Sequence, residues 1–182
     1  MLKNWAVVPT CLPLVRRRCP GCGFGRFRAS GKFRVNANHK LLDAWLLVLC
    51  NGCGETAKLT VFERSTVRSV RPSLLDRLHR NDPGLIAELL PDPVVQHHNR
   101  ISLDWAGAWR LDTGGSDHMD AEVVDVAVRF AVPIPVRPVR LVAEGFGLPR
   151  AEVDRLIEEG KLVSAARLSG KLSTDFTFTL KR

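Results

Sequence analysis

Long apolar runs are missing from this 182-residue chain. The longest, Ala44 to Cys50, falls far short of the roughly 18 residues a membrane-crossing helix requires, so no membrane partner is expected. A secretory leader is not expected either. Met1 to Val15 holds one lysine and a short apolar run broken by Pro9 and Pro13, with no small-residue cleavage pattern. Also lacking are a nucleophile motif, a phosphate-binding glycine loop and a histidine-carboxylate cluster at workable spacing, so the chain is not expected to be an enzyme. The acidic stretch from Asp112 to Asp120 lacks calcium-loop spacing and reads as a flexible loop or boundary. His97 and His98 are adjacent, and adjacent side chains diverge, so a solvated or hydrogen-bonded pair is the plain reading. With Asp104 and the acidic stretch, they mark where a second site would have to form.

Cysteine is scarce but patterned. Four of the five form two identical spacings, Cys19-Pro-Gly-Cys22-Gly and Cys50-Asn-Gly-Cys53-Gly. Each pair can aim two sulfurs at one ion from one tight turn. The glycine after each second cysteine lets backbone amides turn toward the sulfurs without a Cβ clash. Four thiolates suit Zn²⁺, held tetrahedrally at about 2.3 Å, and a closed sulfur shell is structural rather than catalytic. A redox pair needs only one such turn beside a βαβ pattern, whereas the residues between these turns read as strands. Structural Zn²⁺ on Cys19, Cys22, Cys50 and Cys53 is therefore the expected cofactor, and reduced, metal-bound cysteines fit a cytoplasmic location. Cys11 has no partner and reads as a packed thiol.

The net charge of +8 is unevenly spread. Residues 1–71 hold 13 Lys and Arg against 3 Asp and Glu, net +10; residues 72–136 are at −5 and residues 137–182 at +3. Four thiolates on Zn²⁺ would lower the first figure to about +8. A basic excess in one region is the asymmetry expected where polyanions bind. Arg16-Arg17-Arg18 abuts the first cysteine, where three guanidiniums either grip phosphate or offset the thiolates.

Alternation predicts strands at Phe24 to Arg28 and Lys32 to Val35, with Ser30-Gly31 as a kink or turn between them, and at Leu42 to Cys50 and Lys58 to Arg64, the Leu42 run apolar on both faces and hence central. On the first two, Arg26, Arg28, Lys32 and Arg34 alternate with Phe24, Phe27 and Phe33. These basic residues, with Lys40 in the following turn, are the candidate nucleic-acid contacts. Arginines track phosphates, and an exposed aromatic stacks on a base; the other reading puts the phenylalanines in a core with the arginines solvated outside. Pro72 to His79 and Gly84 to Leu90 read as helices, with His97-His98 opening a segment of ambiguous type. Glu122 to Phe130 is a half-buried strand. Helices follow near Val139 to Phe146 and after Pro149, then strands at Leu162-Val163 and Leu172 to Leu180.

The cysteine pattern resembles zinc ribbons over about residues 16 to 64. Ser30 to Leu47, with the flanking cysteines, resembles a family of uncharacterised bacterial proteins, domain-of-unknown-function family ten sixty-two, over the length of the chain. The order helix, Leu-Pro-Arg, helix, Glu-Glu-Gly-Lys-Leu-Val, strand over residues 137–182 resembles the S-four-like RNA-binding domain. That resemblance implies RNA contacts from Arg150 and Lys161, although a longer Ser164 to Ser169 stretch replaces the usual short turn.

The expected fold is α+β: an N-terminal zinc-ribbon antiparallel sheet (1–71), a helical bridge with the acidic loop (72–120), and a small C-terminal S-four-like α+β unit (121–182). The expected function is non-enzymatic RNA binding, with DNA possible as ligand, through phosphate contacts from the ribbon's basic face and the C-terminal unit. The alternative is a zinc-ribbon adaptor for a protein partner in transcription or translation.

Overall fold

The computed structural model describes residues 1–115 and 122–181. In chain order the strands and helices are β1 (Leu2–Pro9), β2 (Leu14–Arg16), β3 (Arg26–Asn38), β4 (Leu41–Cys50), β5 (Thr56–Thr66), α1 (Pro72–His79), α2 (Pro83–Leu89), α3 (Pro93–Asn99), β6 (Ser102–Asp104), β7 (Trp109–Asp112), β8 (Val123–Phe130), α4 (Pro138–Phe146), α5 (Arg150–Glu158), β9 (Leu162–Ser164) and β10 (Phe176–Lys181). The class is α+β, built as two compact units.

The first unit is Leu12–Ala106. Its sheet runs β5-β4-β3-β2-β6, antiparallel at every pairing. The apolar run predicted to be central is β4, and it is held on both sides by long partners. Leu42, Ala44, Leu46, Val48 and Cys50 are buried while the residues between them are half-exposed. α1, α2 and α3 supply Leu78, Leu85, Ile86, Leu90 and Val95 to the buried set. Ile86 and Leu90 join Val15, Phe27, Leu46, Val48 and Leu59 in one cluster, and Leu78 and Leu85 join Ala44 in another. Each such side chain contributes about 1.5–3 kcal/mol by leaving water.

Two asparagines clamp the sheet where its ladder is interrupted. At the β3 irregularity between Ala29 and Phe33, the Phe33 amide donates to Asn81 Oδ1 at 2.6 Å. On the outer edge of β5, Asn99 Oδ1 accepts from the Thr60 amide at 2.6 Å while its Nδ2 donates to the Thr60 carbonyl at 2.9 Å. Asn99 thus behaves as one residue of an added strand, meeting backbone groups that an edge leaves open.

The second unit joins Met1–Cys11 to the chain from Gly107 onward. Its sheet runs β7-β1-β8-β10-β9, with β1 parallel to β8 and antiparallel to β7. Trp5 of β1 is buried against Phe146 and Phe178, ring centroids 5.0 and 5.5 Å away. Its indole lies so close to Gly145 that a Cβ there would collide with the ring.

The chain therefore does not divide at 71/72 and 120/121. Residues 1–11 leave the ribbon region because β1 pairs with β8, and α1 to α3 join it because their apolar stripes complete its core. β6 ends that unit by pairing with β2. The expected strand from Leu172 begins at Phe176; Leu172 itself makes an isolated bridge to Val136. His97 and His98, which open the ambiguous segment, lie in the last turn of α3, and β6 follows in that segment; the Asp92-Pro93 start of α3 repeats the Asp82-Pro83 start of α2, each aspartate accepting from the amide two residues on at 2.8 Å.

Candidate metal centre and cationic sheet face

Two near-identical backbone turns lie at one end of the first unit's sheet, one between β2 and β3, the other between β4 and β5. The Cys19 amide donates to the Phe24 carbonyl at 2.8 Å and the Gly23 amide to the Cys19 carbonyl at 2.9 Å. The Cys50 amide donates to Glu55 at 2.9 Å and the Gly54 amide to Cys50 at 2.9 Å. Gly23 and Gly54 take φ of 75° and 77°, the left-handed turn expected of the glycine after each pair.

These turns bring the four sulfurs within 4.8 Å of one another. Cys19 Sγ lies 3.7 Å from Cys53 Sγ, and Cys22 Sγ lies 3.6 Å from Cys50 Sγ. A disulfide would require about 2.05 Å. A tetrahedron of sulfurs at about 2.3 Å from a central ion has edges of about 3.8 Å, so the cluster fits one metal ion. Backbone amides surround it in matching pairs. Those of Cys22 and Gly21 face Cys19 and that of Phe24 faces Cys22; those of Cys53 and Gly52 face Cys50 and that of Glu55 faces Cys53. Cys19 and Cys50 are buried in the core, while Cys22 and Cys53 are exposed.

The sulfurs do not ionise alike. Burial lifts Cys50, but the Cys53 and Gly52 amides and the Cys22 and Cys19 thiols outweigh it and bring its pKa to about 7. At Cys19, the Cys22 amide favours the thiolate, yet burial and the Cys50 and Cys53 sulfurs raise it above the ordinary thiol value. Cys22 is raised against the pull of the Phe24 amide, by burial and the Cys50 and Cys19 sulfurs. Cys53 is raised against the Glu55 amide, chiefly by Cys22 and burial. One thiolate among four close sulfurs discourages the next. Cys11 is exposed rather than packed.

The carboxylate against the sulfurs is that of Glu55, 3.4 Å from Cys19 Sγ; Asp104, at the end of β6, was expected to matter only with the histidines. It is 6 % exposed, with Arg26 at 3.0 Å and Arg16 at 3.2 Å. Burial alone would raise its pKa, but the Ala106 amide and the two guanidiniums hold it below the usual carboxylate range. Arg16 is therefore committed to a carboxylate, and Arg17 Nη1 donates to the Lys58 carbonyl at 3.3 Å. Within the basic triplet these two side chains hold the sheet together.

The candidate nucleic-acid residues fare differently. Phe27 is fully buried and Phe33 half-buried toward the core, while Phe24 is exposed beside Arg16 and Arg26. The expected interleaving of stacking phenylalanines with arginines is thus corrected: strand alternation sends Phe27 and Phe33 to the helix-covered face. Arg28, Lys32 and Arg34 are exposed and, among the described residues, form no ion pair. Lys40 is exposed in the β3–β4 turn. In the second unit Arg150 begins α5, 3.8 Å from Asp154, and Lys161 lies 2.8 Å from Glu159. α4, α5, β9 and β10 follow in the order the S-four-like resemblance implies, but β10 pairs with β8 within the larger sheet.

His97 and His98 are exposed on the last turn of α3. Asp112 pairs with Arg110 at 3.3 Å; residues 116–120 of the acidic stretch lie outside the described residues. Among the described residues, the four cysteines are the group placed to hold a metal ion. No helix among them is long and apolar enough to cross a membrane.

A family model described as Protein of unknown function (DUF1062) matches residues 35–168. The match takes in Cys50 and Cys53 and begins after Cys19 and Cys22. No curated protein and no solved structure matches the chain.

Proposed function

We propose, from the premise that the chain belongs to the DUF1062 family, that it is a zinc-bound, non-enzymatic protein that binds RNA through the first unit's sheet. Four soft thiolates in a closed tetrahedral set favour Zn²⁺ and leave no position for water or substrate, which supports a structural ion in a zinc-ribbon arrangement. The ion's task is to fix the β2–β3 and β4–β5 turns, and with them the ends of β3 and β4.

The observation that carries the reading is the sidedness of β3. Its apolar residues point to a helix-covered core, and Arg28, Lys32 and Arg34 stand exposed on or beside the opposite face with no carboxylate partner among the described residues, whereas Arg26 is paired with Asp104. Guanidiniums held on a rigid strand suit bidentate contact with phosphate. Arg150 and Lys161 contribute less to the reading, because Asp154 and Glu159 already offset their charge. The S-four-like reading of residues 137–182 rests on the order of its helices and strands alone.

Fluorescence anisotropy of a labelled RNA titrated with zinc-loaded protein at several salt concentrations tests the proposal. Affinity is expected to drop by about 0.7 log units per contacted phosphate for each decade of salt on a single strand. Absence of any salt-dependent binding to RNA or DNA would remove the reading.

A further inference from the structure

Basic residues alone attract any polyanion, so the form of nucleic acid must be chosen by something else on the same face. In an antiparallel pair, residues directly opposite each other share a face. Arg28 stands opposite Leu49 and Arg34 opposite Trp45 on the β3–β4 ladder; Leu47 stands opposite Lys58 and Trp45 opposite Thr60 on the β4–β5 ladder. The face away from the helices therefore carries a half-buried spine of Trp45, Leu47 and Leu49 on its central strand. Arg28 and Arg34 flank that spine on one side and Lys58 on the other. The Lys58 ammonium lies 4.6 Å from the Trp45 ring centroid, so a solvent-exposed, flexible side chain covers the ring face there. Two carboxylates stand near: Asp43 accepts from the Arg64 amide at 2.7 Å and Glu63 from the Thr60 hydroxyl at 3.1 Å.

We propose that Trp45 is the base-stacking platform of this face, and that its ligand is an unpaired RNA strand whose phosphates meet Arg28, Arg34 and Lys58. This inference rests on the RNA-binding reading above and narrows it. An aromatic ring with Lys58 over it and Arg34 opposite it, on a face that also carries Arg28, complements a strand that offers both a free π-face and a negative backbone. A duplex offers only the second, since its bases are stacked on one another. When a base takes the ring, the Lys58 ammonium moves aside to the phosphate, exchanging a cation–π contact for an ion pair.

The test uses full-length, zinc-loaded protein with a labelled 20-nucleotide oligo(U) and a duplex RNA of equal length. Trp45→Ala is expected to weaken oligo(U) binding about 5- to 150-fold, the range for losing one stacked base, with the salt slope unchanged because no phosphate contact is lost. Trp45→Phe should recover most of the affinity. The Arg28→Ala/Arg34→Ala double variant should instead flatten the slope, by about 1.4 for two phosphate contacts. Duplex binding should be weaker and indifferent to Trp45. Unchanged zinc content and circular dichroism in Trp45→Ala exclude misfolding, and Trp45→Phe answers the question if that variant does not fold. If Trp45→Phe falls as far as alanine, or if oligo(U) binding ignores Trp45 while the double arginine variant still lowers it, the platform is overturned and RNA binding stands. If wild-type protein binds neither RNA, both fall.

Discussion

At the scale of single residues, the decisive groups are four sulfurs and one carboxylate. Cys19, Cys22 and Cys53 hold their protons above the ordinary thiol range while Cys50 sits at about 7, so a metal entering near neutrality must displace protons from the first three. Apparent zinc affinity, measured by competition with a chromophoric chelator, should therefore fall by at least about three decades per pH unit below 7. A pH-independent affinity would mean that the sulfurs are not the ligands. Asp104 has the opposite linkage. Its folded pKa is depressed, so the stability it contributes is present above its unfolded value of about 3.9 and is lost as pH falls through the folded one. Asp104→Asn should cost about 1 kcal/mol at pH 7, since Arg16 and Arg26 are both more than half exposed and water screens what they lose, and should remove that acid-dependent portion of denaturant stability. The four-cysteine cluster was readable from spacing alone because one turn fixes both sulfurs of a pair. Asp104 was not, because its partners Arg16 and Arg26 lie 88 and 78 residues earlier and meet it only through the β2–β6 and β2–β3 pairings.

At the scale of elements, alternation identified β3, β4, β5 and β8, since a period of two survives wherever one face is buried. The short strands β2, β6, β7 and β9 carry too few residues to show a period, and of these only Leu162-Val163 was marked. β4 was read correctly as central, and its odd-numbered face later proved to hold Trp45. The aromatic expected on the cationic face was phenylalanine because sequence neighbours suggested it, but Phe33 and Arg34 are adjacent and so point oppositely. The helices α1 to α3 are more than a bridge. Asn81 and Asn99 attach them to β3 and β5 through backbone hydrogen bonds at 2.6 Å. Asn99→Ala leaves a Thr60 amide and carbonyl without their partner, and Asn81→Ala leaves the Phe33 amide. Each is expected to cost about 1–3 kcal/mol in urea unfolding followed by far-ultraviolet circular dichroism, with zinc still bound. Two variants as stable as wild type would show that the clamps are incidental.

At the scale of the whole molecule, the first unit is one contiguous segment, Leu12–Ala106, and the second is built from the segments on either side of it along the chain. It has its own sheet, helices, core clusters and cysteine set, so the fragment 12–106 is expected to fold on adding one equivalent of zinc and to unfold cooperatively. A fragment that stays unfolded with zinc would make that division wrong. Deleting residues 1–11, by contrast, takes Trp5 from beside Phe146 and Phe178 and should leave the rest of the second unit unfolded. The sequence by itself determined the four cysteines placed to hold a metal ion, the glycine turns, the central apolar strand and the uneven charge, because each is set by residues close together along the chain. The tertiary structure alone decided that Met1–Cys11 belongs with the C-terminal sheet, that Arg16 and Arg26 serve Asp104, and that Trp45 rather than a phenylalanine shares a face with Arg34. Those three facts depend on strand register and on pairings between distant segments, and neither is set by any local stretch of residues.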